Sequence, residues 1–390
     1  MFKRTLNLPE QRSVLLLGPR QTGKSTLVRA VLPTEALVID LLHTEEFLRY
    51  ARDPSLFRRE VLHHISRGGA PTVFVDEVQR VPALLDEVHA LIEATPARFI
   101  LTGSNARKLK RGAANLLAGR VSVRHLHPLT LDELGDAADL ETLLRFGSLP
   151  PVSQIARDDP AAASEILRAY ALTYLQEEMQ AEAIVRQLGA FARFLDVAAA
   201  QSGELVNFSA VGRDAGLATR TVQSYYEVME DTLLGFRLPA WQRSPRARLV
   251  AHPRFHLFDL GVTNALCRRL GAPPDPVRRG HLFEQMIVLE SHRRLEYSFP
   301  EARLFFWRTN HGAEVDLLIE HHGELCAAVE IKSRASIDNA DLSGLRSFAE
   351  AHPGVRRYCV STSPRAYRVG EVEVLPYAEF FGRFEEILGA

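Results

Sequence analysis

Residues Gly18-Pro19-Arg20-Gln21-Thr22-Gly23-Lys24-Ser25 spell G-x-x-x-x-G-K-[ST], a pattern that needs a buried strand before it and a helix after it. The apolar run Ser13-Val14-Leu15-Leu16-Leu17 suits the strand, and Ser25-Thr26-Leu27-Val28-Arg29-Ala30-Val31 can continue as the helix. In such a P-loop the backbone N–H groups and the helix N-terminus surround phosphate oxygens. Lys24 then reaches the β- and γ-phosphates of a nucleoside triphosphate, and the Ser25 hydroxyl ligates Mg²⁺. All residues from Gly18 through Thr26 are therefore candidate nucleotide contacts.

Ala36-Leu37-Val38-Ile39-Asp40 reads as a second strand, and Thr72-Val73-Phe74-Val75-Asp76-Glu77 as a third that ends in two carboxylates. Behind a P-loop this is a Walker B pattern: Asp76 holds Mg²⁺ through water, and Glu77 orients and polarises the attacking water. Arg98-Phe99-Ile100-Leu101-Thr102-Gly103-Ser104-Asn105 is a further strand with a polar tip. Ser104 and Asn105 either sense the γ-phosphate or simply end the strand in a polar turn. Arg120 is either an arginine finger for a neighbouring subunit or a salt-bridged surface arginine. The basic run Arg107-Lys108-Leu109-Lys110-Arg111 is either a solvated face or a phosphate contact. Strands alternating with helices imply an α/β domain whose parallel sheet binds its ligand at the carboxyl edge of the strands.

The P-loop, Val75-Asp76-Glu77-Val78-Gln79, Leu101-Thr102-Gly103-Ser104 and Ala118-Gly119-Arg120 together resemble one family. These are AAA-type P-loop ATPases of the archaeal-ATPase-like branch that carry a C-terminal domain of unknown function. The resemblance runs over nearly the whole chain. It implies ATP and Mg²⁺ as cofactors, a nucleotide site between subunits, and a homo-oligomeric ring, a hexamer.

At 390 residues, roughly two to four domains are expected. The formal net charge of −1 means that any nucleic-acid contact must come from local patches. From Ala161 the apolar spacing turns helical, through Ile166, Leu167, Tyr170, Tyr174, Leu175 and Glu178, then Leu188, Phe191, Phe194 and Leu195. Asn207 to Tyr226 reads as two short helices joined at Gly216, a helix-turn-helix, with Ser209 and Thr219 as candidate caps. The second helix offers Arg220, Gln223 and Ser224 on its polar side. A ribbon from Leu233 follows, with the basic tip Gln242-Arg243-Ser244-Pro245-Arg246-Ala247-Arg248, giving a winged-helix layout. It either grips DNA or serves as a protein-interaction module. The family resemblance also implies a winged helix here, and Phe255-His256-Leu257-Phe258-Asp259-Leu260-Gly261 resembles its link to the last domain. Pro273-Pro274-Asp275-Pro276 marks a boundary.

In the last domain, Glu284 lies on an amphipathic helix, Gly280 to Glu290. Leu304 to Arg308, Glu314 to Glu320 and Leu325 to Lys332 read as strands, the last two joined by a turn at Gly323. That hairpin sets Asp316 opposite Glu330, and strand periodicity puts Glu330 and Lys332 on one face. Paired hard oxygens suit Mg²⁺, with Mn²⁺ as the alternative ion, and the lysine can position or deprotonate a water. Helix Glu284, strand Asp316, then Glu330-x-Lys332 resembles the PD-(D/E)xK nuclease superfamily. The resemblance implies a restriction-endonuclease-like α/β/α domain in which Glu284, Asp316 and Glu330 are metal ligands. Val315-Asp316 follows Gly-Ala-Glu here, not a Pro-Asp pair. Arg308, Thr309, Asn310 and His311 are either a polar strand end or further DNA contacts.

The expected organisation is an ATPase core over 1–130, a lid or linker over 131–160, a helical and winged-helix domain over 161–255, a connector over 256–280 and a nuclease-like domain over 281–390. The expected function is ATP-driven DNA processing with metal-dependent cleavage, on branched or otherwise structured DNA. The alternatives are a nucleotide-switched DNA-binding regulator that does not cleave and a protein-remodelling switch. The three cysteines, Cys267, Cys326 and Cys359, are far apart, which fits a reducing compartment. The early P-loop strand leaves no room for a signal peptide, and no apolar run approaches membrane-spanning length, so a cytoplasmic protein is expected.

Overall fold

Short apolar runs build the amino-terminal sheet: β1 (Ser13–Leu17), β2 (Leu37–Asp40), β3 (Thr72–Asp76), β4 (Arg98–Gly103) and β5 (Val121–His125). All pairings are parallel, in the order β2-β3-β4-β1-β5. Alternate residues of β1 feed two cores, because helices cover both faces. Leu15 and Leu17 pack with Val75, Leu101, Leu84 and Val88, whereas Val14 and Leu16 pack with Phe74, Ile100 and Val28 of α1 (Lys24–Val31). β4 lies between β1 and β3, so the carboxyl tips of all three strands meet at one edge. This computed structural model describes residues 2–104, 117, 119–174, 188–242 and 252–389.

The middle of the chain is helical. Its core is built on Phe191, Phe194, Tyr225, Tyr226 and Phe255, with Tyr226 meeting Phe194 edge-on at 5.0 Å and Phe255 at 4.7 Å. α2 (Phe208–Ala215) and α3 (Thr219–Asp231) meet at Gly216, whose φ of 67° ends α2 in the left-handed region. The caps differ from expectation. Asn207, not Ser209, caps α2: its Oδ1 accepts from the N–H groups of Ser209 and Ala210. Thr219 is already inside α3, and Ala218 precedes it with no side-chain cap. β6 (Gly235–Leu238) and β7 (Arg254–Leu257) form the antiparallel ribbon.

The ribbon continues onto the last domain. Trp241 N donates to Phe306 O at 2.6 Å, and Phe306 N donates to Pro239 O at 3.1 Å, which covers an edge strand. That edge belongs to a mixed sheet, β12-β13-β11-β10-β9-β8, made of β8 (Arg303–Arg308), β9 (Glu314–His321), β10 (Glu324–Lys332), β11 (Arg356–Ser361), β12 (Tyr367–Val369) and β13 (Val372–Pro376). α4 (Pro276–Ser298) and the carboxyl-terminal helices cover one face, and α5 (Ser343–Ala351) covers the other. Pro276 opens α4 at a position where its missing N–H costs nothing, and Asp275 caps it.

Asn105, the basic run 107–111 and the ribbon tip from 243 lie outside the described residues, as do Leu175 and Glu178. Among the described residues no helix is long and apolar enough to cross a membrane. No disulfide joins the three cysteines.

Candidate active sites

The first site forms where β1, β4 and β3 end. Gly18 leaves β1 with its N–H on Gly103 O at 3.3 Å, and a Cβ at this position would collide with the Leu126 carbonyl oxygen. Gln21 and Gly23 turn the loop with φ values of 63° and 89°, the second natural only for glycine. Lys24 is buried as the first residue of α1, and its Nζ donates to Gly18 O at 2.9 Å and Pro19 O at 3.0 Å. The ammonium is thus curled over the loop's own carbonyls, within the space that phosphate oxygens would take. Thr22 Oγ1 donates to Pro19 O at 2.9 Å, while Ser25 and Thr26 follow on the first turn of the helix.

Asp76 is buried at the tip of β3, and its Oδ1 accepts from Thr102 Oγ1 of β4. Glu77 N also donates to Thr102 Oγ1, at 3.2 Å. Glu77 itself is left-handed, φ 58°, a costly conformation for a glutamate and one that turns its side chain off the strand. Gln79 Nε2 donates to Glu77 Oε2 and to Ser104 Oγ, the latter at 3.1 Å. Gln79 Oε1 is buried without a partner among the described residues, a spare acceptor for a water or a hydrated cation. The donors and acceptors present therefore fit a nucleotide with Mg²⁺. Thr102 and Gln79 are additions to the expected set. Both stood in the stretches that resemble the ATPase family, but only the insertion of β4 between β1 and β3 explains why they belong to the site.

Beside the loop, a cavity of about 1120 Å³ opens between the amino-terminal segment, α1 and Pro150–Gln154, lined by Phe2, Leu6, Thr26, Leu27 and Pro150. Its apolar wall suits a nucleoside. Arg4 crosses its floor, with Nη1 on Thr22 O at 2.9 Å and Nη2 on Tyr297 OH at 3.2 Å, while Nε pairs with buried Glu133 at 3.0 Å. Tyr170 OH reaches the loop too, donating to Arg20 O at 3.3 Å. Arg120 stands elsewhere. It precedes β5 at the amino end of the sheet, opposite the P-loop edge, and pairs with Glu93. From there it does not reach its own chain's P-loop.

The second cluster lies in the carboxyl-terminal sheet. His322 and Gly323, with φ of 53° and 82°, make the two-residue turn between β9 and β10. The register Ala328↔Leu318 and Val329↔Leu317 continues to Glu330 opposite Asp316, as the hairpin reading requires. Asp316 Oδ2 accepts from Ile331 N at 2.8 Å. Lys332 Nζ donates to Glu330 Oε1 at 2.6 Å, and Glu330 Oε2 is buried with no partner among the described residues. Burial, then the neighbouring Asp316, pushes the Glu330 carboxyl up to about 8. Burial alone would lower the Lys332 ammonium, but Glu330 and Asp316 outweigh it and hold it above the usual lysine range. The Lys332 ammonium therefore stays charged beside Glu330.

Glu284 departs from the expected ligand set. Its Oε1 accepts from Arg254 Nη1 of β7 at 2.5 Å, and Arg254 also pairs with Glu314. Among the described residues no three His, Cys, Asp or Glu side chains are gathered as a ready metal cage. A guanidinium already occupies the helix carboxylate, which burial and then Asp316 push up to about 7. The orphaned Glu330 oxygen facing the Asp316 strand is what fits a divalent cation here, with Glu284 one ion pair away from joining. Arg254 and Glu314 carried no signal in the sequence, because their meeting depends on how the ribbon docks against β8.

Comparison with known proteins matches three successive segments of the chain. Residues 10–135 match the family model described as an AAA domain, residues 137–274 match Domain of unknown function (DUF8612) and residues 279–380 match Domain of unknown function (DUF4143). The chain is thus an AAA-type ATPase domain followed by two domains of unknown function. An uncharacterized protein of Mycobacterium tuberculosis is 29% identical over 361 residues, covering 89% of this chain and 78% of its own. One from Haemophilus influenzae is 21% identical over 304 residues, covering 72% and 74%. Among solved structures, AMPPCP-bound DnaA from Aquifex aeolicus aligns over 57% of this chain and 82% of its own at 11% identity, with a TM-score of 0.24, too low to carry an argument.

Proposed function

We propose that this chain is a DNA-processing ATPase that also cleaves DNA: it hydrolyses ATP with its amino-terminal domain and cuts phosphodiester bonds with its carboxyl-terminal one. In this reading the expected segments 1–130, 161–255 and 281–390 are the motor, a winged helix that grips the duplex, and a PD-(D/E)xK-like nuclease, joined through 131–160 and 256–280. The substrate is branched or otherwise structured DNA, and the working form is a homo-oligomeric ring, a hexamer.

Mg²⁺, when bound at each centre, screens phosphate charge and lowers the cost of developing negative charge. The rest falls to the protein. Residues from Gly18 to Thr26 bind the triphosphate, with Lys24 leaving its carbonyl partners for the phosphate oxygens. Asp76, steadied by Thr102, holds the hydrated ion. Glu77, steered by Gln79, accepts the proton of the attacking water as the bond to the γ-phosphorus forms and the β–γ bridge breaks. Arg120 is assigned to the neighbouring subunit's nucleotide. In the last domain Asp316 and Glu330 would hold the metal, Glu284 would be a third ligand if freed from Arg254, and Lys332 orients the water. Exposed Arg220 and Gln223 on α3 support a DNA contact by the middle domain.

The observation that carries the cleavage reading is the pairing of Asp316 with Glu330 across one hairpin, Lys332 bound to one Glu330 oxygen and the other buried without a partner among the described residues. Nicking of branched, duplex and single-stranded DNA, with Mg²⁺ or Mn²⁺ and with or without ATP, tests it. Wild-type protein is expected to nick and Asp316→Asn is not; a wild type that never nicks any of them overturns it. The Arg254 ion pairs favour a second reading, a nucleotide-switched DNA-binding regulator in which these acids only tie two domains together. That reading expects salt-sensitive DNA affinity without scission.

A further inference from the structure

We infer that Arg254 is a built-in counter-cation of the carboxyl-terminal acidic site, competing with a divalent metal for Glu284 and holding the site unloaded until the ribbon strand that carries it moves. This rests on the reading of that site as a metal centre and names its regulation.

Arg254 comes from the ribbon of the middle domain. It belongs to β7, and its backbone is fixed by the middle of the chain: it pairs with Leu238 of β6 and bridges to Leu205, while its neighbours bond to Gly203 and Val206. Its side chain nonetheless leaves that domain and enters the acids of the next one. One arm meets Glu284 of α4 at 2.5 Å, and the other meets Glu314, two residues before Asp316 on the same face of β9. The guanidinium lies 5.1 Å from the centre of the Phe306 ring and is almost wholly buried.

Four carboxylates, Glu284, Glu314, Asp316 and Glu330, thereby face two cations, buried Arg254 and half-buried Lys332, with Arg308 near Glu314 at the rim. Removing a buried partner leaves an uncompensated charge, so without metal the arginine is needed where it stands. A divalent ion on Asp316 and Glu330 changes the balance. It attracts Glu284 and repels the guanidinium bound to it. Metal loading and Arg254 withdrawal are therefore linked, and the linkage is reciprocal: whatever shifts β7 away from α4 raises metal affinity, and metal favours that shift. Because the plug is anchored in one domain and seated in another, the relative position of the two domains sets whether the site is charged with metal.

Mn²⁺ titration of the full chain, followed by electron paramagnetic resonance and calorimetry in the absence of nucleotide and DNA, tests this. Arg254→Met is expected to bind Mn²⁺ at least about tenfold tighter than wild type, a change read directly from the isotherms. Its melting temperature in chelator should fall below that of wild type and recover with Mn²⁺ by more than wild type gains. Arg254→Lys, which keeps a charge but cannot span two carboxylates, should fall between them and serves if the methionine variant does not fold. Asp316→Asn in each background identifies the site being read. If Mn²⁺ binds in an Asp316-dependent way but Arg254→Met and Arg254→Lys bind it no tighter than wild type, the counter-cation inference is wrong and the metal centre stands. If no Asp316-dependent Mn²⁺ binding occurs in any variant, the metal-centre reading itself fails and takes the inference with it.

Discussion

Glu77 shows how a single residue's backbone can carry chemistry. Its left-handed conformation is disfavoured for glutamate, and it is held by the Thr102 hydroxyl on its N–H and the Gln79 amide on its carboxylate. Steady-state ATP turnover should fall about 100-fold or more in Glu77→Gln with nucleotide binding retained, since one preorganised group is removed. Gln79→Leu, which keeps the acid but frees its orientation, should fall by about tenfold. An unchanged rate in Glu77→Gln would move the water-orienting role to another group. At this scale the sequence was most informative where function depends on neighbours in the chain. The P-loop spacing and the Asp76-Glu77 pair are local facts. Thr102 lies 26 residues from Asp76 and became a partner only through the β3–β4 pairing, so its role was not legible.

At the scale of elements, turns and caps fix how the pieces meet. Gly216 occupies a left-handed position between α2 and α3, so Gly216→Ala should lower stability by about 1 kcal/mol in denaturant unfolding. Asn207→Ala should cost about 1 kcal/mol for the lost cap, and Ser209→Ala much less; a larger loss at Ser209 would contradict the observed cap. Arg220→Ala should weaken DNA binding at every sequence and reduce the salt slope by about one unit if α3 faces phosphates. A salt-insensitive affinity would point to a protein partner instead. The β9–β10 hairpin was legible from its turn signal near Gly323, but its register was not: the two-residue turn alone would set Asp316 against Val329, and a bulge between Leu325 and Ala327, which no turn residue announces, brings Glu330 opposite Asp316. The caps were misread because Ser209 and Asn207 are both good N-caps, and only the helix start decides between them.

Across the whole molecule, the three parts are tied by contacts that no periodicity announces. Arg4 joins the P-loop carbonyl of Thr22 to Tyr297 near the end of α4, the helix whose other end carries Glu284. A stack runs beside it: His256 on Phe236 at 5.5 Å, Phe236 on His292 at 3.9 Å, and His292 against His127 at 5.3 Å. Burial, with Arg254 and His292 adding to it at His256 and with His127 adding to it at His292, lowers both His256 and His292 to about 3. Glu296, bonded to His125 and His127, and Arg293 are the other charges facing this stack. A histidine held below its free value of 6.5 binds fewer protons folded than unfolded. The stability it supports is complete above about pH 6.5 and is lost as pH falls from there towards 3. Thermal melts from pH 7.5 to 5 should therefore fall, and the fall should lessen in His292→Phe; a flat profile would contradict the buried neutral stack.

We propose that one polypeptide holds two chemically separate centres, one for a triphosphate and one for a DNA backbone. Phosphate release and strand nicking measured side by side in wild type, Lys24→Ala and Asp316→Asn test it most directly. The expected result is that Lys24→Ala loses phosphate release, whereas Asp316→Asn keeps it and loses nicking. Nicking by Asp316→Asn at the wild-type rate, or a wild type that releases phosphate and leaves every DNA intact, would contradict it.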